Sequence, residues 1–93
     1  MIGSEFTAIV GATNVSDSMQ QAAAKTTADA AIRYNNYIDI SRFIKETFEK
    51  VYGGSWQCIV GKSFSCYGCY DTGDYIFFRL DNLFVMLYRI KKI

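Results

Sequence analysis

The chain has 93 residues, 51% of them hydrophobic and 16% aromatic, with a formal charge of +1 and no histidine. That length makes one small domain, burying roughly 60 to 65% of its extended surface, and the near-neutral charge excludes bulk attraction to nucleic acid. The apolar content is generous for a lone domain of this size, which points to apolar surface covered by a partner.

Met1 to Phe6 (MIGSEF) reads as expression-tag or disordered sequence and is set aside, leaving one domain over 7–93. Thr7 to Val10 (TAIV), followed by Gly11, predicts an edge strand, and Ala12 to Val15 a turn. Ser16 and Asp17 are N-cap candidates for a helix running to about Tyr34. Met19, Ala22 or Ala23, Thr26, Ala30 and Tyr34 give it a thin apolar stripe, suited to an outer helix. Asn35 and Asn36 break that helix, and Asp39 is expected to cap a second one from Ile40 to Tyr52. Its inner face (Ile40, Phe43, Ile44, Thr47, Phe48 and Val51) is heavier. Glu46 and Lys50 are an i,i+4 pair on its outside, worth about 0.3 kcal/mol. Gly53 supplies the stop and Gly54 the turn.

After Ser55 the hydrophobic period changes from helical to alternating. Trp56 to Val60 predicts a strand with Trp56, Cys58 and Val60 on one face and Gln57 and Ile59 on the other. Past Gly61 and Lys62, Phe64 to Tyr70 reads as a strand of mixed aromatic and polar residues, broken by Gly68 and suited to pairing outside its own chain. Residues 71–74 form a turn, Tyr75 to Leu80 a strand, and Asp81 and Asn82 a tight turn. Leu83 to Ile90 is apolar on both faces and is placed centrally. The fold class is therefore α+β, an antiparallel sheet with two helices on one face. Phe43, Phe48, Trp56 and Phe84 read as core packing. Phe77, Phe84, Met86 and Tyr88 cannot all point at the helices, and a second copy of the sheet would cover the other face.

The residues argue against catalysis. Without histidine the commonest general base is missing, no Gly-rich phosphate loop exists, and Glu46, Glu49, Asp71, Asp74 and Asp81 are spaced as helix-surface and turn residues. Cys58, Cys66 and Cys69 are an odd set. The C-x-x-C of Cys66 and Cys69 has too few companions for zinc and sits in strand-like sequence, so reduced thiols with no metal or cofactor are expected. No signal-peptide pattern or apolar run of about 18 residues suggests membrane insertion. Arg89, Lys91 and Lys92 read as a solvated basic end.

Several stretches carry a resemblance: VSDSMQQ from Val15, RYN from Arg33, FIKETFEKVY from Phe43, SWQCIVG from Ser55, then Phe64 and Tyr67, then IFFRL from Ile76. Through them the sequence resembles the LC8-type dynein light chain family, from about Thr7 to Arg89 without gaps. The resemblance implies a strand-swapped homodimer with a central β-sandwich, the strand at Phe64 to Tyr70 pairing into the partner's sheet. It further implies two grooves that take short linear motifs of disordered partners, dynein intermediate chain among them, by strand addition, in the cytoplasm and cytoskeleton.

Carried over by position, the groove would comprise Ser63, Phe64, Ser65, Cys66, Tyr67, Gly68, Cys69 and Tyr70 with Tyr75, Phe77, Tyr37 and Ile38. The dimer interface would comprise Gln57, Lys62, Phe64, Cys66, Tyr67 and Tyr88. This sequence also departs from the family. Cys69 and Tyr70 replace a threonine and a histidine, Arg79 a tyrosine, and Ile90 a small phosphorylatable residue. Tyr37 and Ile38 stand where the family has a Glu-Lys pair that holds the glutamine of partner motifs. Losing a hydrogen bond to a charged group costs roughly 1.5 to 3 kcal/mol, enough to weaken that preference markedly. Gln57 replaces an interface histidine whose protonation splits the family's dimer, so that switch is expected to be missing. The alternative expectation is a divergent structural dimer with altered partner specificity, in a cytoskeletal or membrane-associated assembly.

Overall fold

The computed structural model describes residues 8–62 and 74–90. The strand expected over 64–70, the groove and interface positions at 63–70, and Cys66 and Cys69 all lie outside the described residues. The chain order is β1 (Ala8–Thr13), α1 (Asp17–Arg33), α2 (Tyr37–Tyr52), β2 (Trp56–Gly61), β3 (Tyr75–Leu80) and β4 (Leu83–Arg89). The strands form one antiparallel sheet in the order β1-β3-β4-β2. The α+β class and the central place of β4 are as expected.

β1 is longer than its sequence suggests. Gly11 reads as a terminator but acts as a bulge: Val10 pairs with Phe78 and Ala12 with Phe77, so the extra residue is absorbed and pairing continues to Thr13 opposite Ile76. The exit is then latched to β3. Thr13 Oγ1 donates to the Tyr75 carbonyl at 2.9 Å, and the Tyr75 N–H donates to Asn14 Oδ1 at 2.8 Å.

α1 begins as predicted, with Ser16 accepting from the Met19 N–H. Its buried residues are Ala23, Thr27 and Ala30. Thr27, not Thr26, faces inward, because the buried row follows the i,i+4 spacing from Met19 through Ala23. α2 starts three residues earlier than expected. Asn36, not Asp39, is the cap: its Oδ1 accepts from the Asp39 N–H and its Nδ2 donates to the Asp39 carboxylate, both at 2.9 Å. Ile40, Ile44 and Phe48 are buried on α2, while Val51 is 63% exposed. The i,i+4 row runs on to Tyr52, whose ring lies 4.9 Å from Phe48, and Tyr52 takes the inner place that Val51 was expected to fill. The same offset moves the ion pair, which forms between Lys45 and Glu49 at 2.8 Å.

The core lies between these helices and one face of the sheet, to which Trp56, Ile76, Phe78, Leu80, Val85 and Leu87 point. Trp56 is its largest member and is wholly buried. Its indole N–H donates to the Gly53 carbonyl at 2.9 Å, and Phe48 meets it edge-on at 5.0 Å. The end of α2 is closed by Arg89 from β4. The Arg89 guanidinium sits 4.9 Å from the Trp56 ring centre, donates to the carbonyls of Tyr52 and Gly53, and pairs with Asp74. Gly53 and Gly54 both have positive φ, and a Cβ on Gly54 would lie 2.7 Å from Arg89 Cδ. Arg89 is thus a half-buried clasp rather than the start of a solvated tail.

Candidate functional site

The two helices occupy one side of the sheet, and the opposite side presents three cross-strand rows. Pairing places Gln57, Tyr88 and Tyr75 in the first row. Ile59, Met86 and Phe77 form the second, and Gly61, Phe84, Arg79 and Ile9 the third. The first row lies at the Asp74 end of the strands and the third at the tight turn of Asp81 and Asn82. Asp81 takes the turn with φ 56°, a conformation Asp tolerates better than most residues.

This open face is apolar and partly wet. Ile59 is 48% and Ile9 53% exposed, while Met86 at the centre is buried although it points away from the helices. Phe77 and Phe84 lie with ring centres 6.5 Å apart. A cavity of about 200 Å³ opens beside them, lined by Ile9, Gly11, Phe77, Phe78, Arg79 and Phe84. The bulge helps shape it: a Cβ on Gly11 would stand 3.1 Å from Phe77 Cδ2, so glycine lets β1 lie close to that ring.

Of the positions assigned from sequence, the structure brings Gln57, Tyr88 and Tyr75 into one row, with Phe77 in the next. Lys62 follows Gly61 at the third row and is exposed. Tyr37 and Ile38 are not on this face. They are the first two residues of α2, both exposed, and Tyr37 lines a separate cleft of about 250 Å³ on the helix side, against the β3–β4 turn. Phe84, read as core, belongs instead to the open face opposite Arg79. Counting alternate residues outward from the two-residue turn gives that placement. Ile9 and Gly11 carried no sequence signal, since their position depends on the bulge.

On the helix side, Glu49 accepts from Lys45 Nζ and from the Trp56 N–H at 3.0 Å. These two hydrogen bonds, the Lys45 one first, hold its carboxyl below its ordinary value. Burial pushes the Cys58 thiol up to about 12. Among the described residues, no group of three His, Cys, Asp or Glu is placed to hold a metal ion, and no helix is long and apolar enough to cross a membrane.

The fold is shared with solved structures. The dynein light chain-like domain of the Fasciola hepatica calcium binding protein FhCaBP2, as a mercury derivative, superposes with a TM-score of 0.80 at 19% identity, covering 91% of this chain and 93% of that one. The native form of the same domain gives 0.78 at 19%, covering 90% and 91%. The DLC-like domain of CsTAL3 gives 0.78 at 21%, covering 91% and 94%. The family model for dynein light chain type 1 matches residues 7–90. By that match, which spans all six described elements, the chain belongs to the dynein light chain type 1 family.

Proposed function

We propose that the chain is a non-catalytic homodimeric hub that binds extended segments of partner proteins by strand addition, in a cytoplasmic, cytoskeleton-associated setting. The observation that carries this reading is the open face of the sheet. Its three rows hold Tyr75, Phe77, Phe84, Met86 and Tyr88 on the side the helices leave uncovered, and apolar surface of that kind is ordinarily covered by another chain. β2 supports the reading further. Among the described strands it lies at the sheet edge, pairing only with β4, so its outer backbone groups face where a strand from a second copy would join.

A second reading, a structural dimer with altered partner specificity, is favoured by the start of α2. Tyr37 and Ile38 carry no charge there, and the Asp39 N–H is already taken by Asn36. A partner glutamine would find only the N–H groups of Tyr37 and Ile38. Isothermal titration of the chain with a glutamine-centred family-type peptide and a scrambled control separates the readings. Low-micromolar binding at one peptide per chain supports the hub with ordinary recognition. A confirmed dimer that ignores both peptides supports the second reading, and a monomer that binds neither refutes both.

A further inference from the structure

Arg79 is the one charged residue in the three described rows of the open face. It is exposed on β3, two and four residues from Phe77 and Tyr75, and so shares their side of the sheet. Its cross-strand neighbours are apolar, Phe84 on β4 and Ile9 on β1, and it borders the cavity beside Phe77. The ion pairs among the described residues use Arg42, Lys45 and Arg89, not Arg79. Asp81, the acidic residue nearest in sequence, lines the cleft on the helix side. A guanidinium with no ion-pair partner among the described residues, set beside Phe77, Phe84 and Ile9, is a strong, geometrically selective donor site for a carboxylate, because its fork matches two oxygens at once and the apolar neighbours weaken competition from water.

The described rows of a second copy would not satisfy it. Two-fold symmetry brings up the same rows, which offer Arg79 again and no carboxylate among the described residues. The described residues supply no carboxylate at Arg79, and the charge that completes the site is one a docking segment can bring. We propose that Arg79 makes this groove selective for extended partner segments carrying an aspartate or glutamate at the position seated over Phe77 and Phe84. The inference rests on the strand-addition reading above and names the chemistry of the segment. In an added strand alternate side chains project on the same side of the sheet, so one acidic residue in a fixed register suffices.

The test is a random-peptide display selection on the full chain and on Arg79→Glu. Arg79 is exposed, so both should show the same helical circular dichroism and melting temperature. The wild-type pool is expected to fix one acidic position. Replacing that acid by its amide in a synthetic peptide should weaken binding about tenfold. Arg79→Glu should lose the acidic preference and regain binding when that position is lysine. Binding of the acid and amide peptides with equal affinity, or the same pool on both proteins, overturns the role of Arg79 and leaves the groove standing. A wild-type selection that enriches nothing removes the groove and this inference together.

Discussion

Replacing Arg89 tests whether the closure of α2 is held by side-chain contacts from β4. One guanidinium nitrogen is shared between the carbonyls of Tyr52 at 3.1 Å and Gly53 at 3.2 Å. Counted as one charge-assisted bond, this contributes about 1.5 kcal/mol. The stack on Trp56 adds about 0.5 to 1 kcal/mol. The Asp74 pair is about one-third exposed on both sides and is discounted for solvent screening to about 0.5 kcal/mol. Arg89→Met keeps most of the stem and removes all three, for an expected loss of about 2 to 3 kcal/mol. Asp74→Asn alone should cost about 0.5 kcal/mol, and the double variant little more than Arg89→Met. Urea unfolding followed by the single tryptophan, at matched protein concentration, reads these differences. A loss below about 1 kcal/mol for Arg89→Met with an unchanged denaturant slope would refute the clasp.

Four further expectations follow from particular groups. Thr27 is wholly buried and its hydroxyl has no hydrogen-bond partner, so Thr27→Val should stabilise by about 1 kcal/mol in the same assay; destabilisation would mean the hydroxyl is satisfied. Glu49 has its carboxyl lowered in the fold, so its contribution is complete above its ordinary value and is lost as the pH falls through the lower folded value. Glu49→Gln should flatten that acid limb of the stability curve, and an unaltered limb would count against the hydrogen bonds from Lys45 and the Trp56 N–H. With Cys66 and Cys69 replaced by serine, Cys58 should resist a disulfide reagent at pH 8 until the chain unfolds, since its thiol is pushed up to about 12; fast labelling of the native protein would contradict this. Gln57 does not titrate, so a dimer measured by sedimentation at pH 7 should persist at pH 5, and a monomer at pH 5 would sink the idea.

The alternating and helical periods carried most of the architecture, because each apolar run has one dominant period and a polar or glycine boundary. The errors lie where a side chain chose between two legal roles. Asn36 and Asp39 are both good caps, and only the reciprocal bond between them shows that Asn36 lies outside the helix and Asp39 within it. Val51 and Tyr52 compete for one inner place, and the ring stack with Phe48 and Trp56 decides it. Gly11 can end a strand or bulge it, and the outcome depends on β3, which is more than sixty residues away in the chain. Arg89 looks like a tail because its partners, Tyr52, Gly53 and Asp74, are gathered only by the fold. For the site, alternation places Tyr75, Phe77 and Arg79 together, while the pocket beside them needs the bulge and the β4 register.

The two margins of the sheet differ in a way that bears on how large an assembly can grow. β2 pairs with β4 residue for residue from Trp56 to Gly61, without a break. β1, the other margin among the described strands, is kinked at Gly11. A regular margin is a template for further strands, whereas a bulged one twists its backbone groups out of line. Among the described strands β2 is therefore the margin that offers a regular template for another strand, and the bulge at Gly11 discourages the same pairing at β1, which disfavours growth of the sheet on both sides at once.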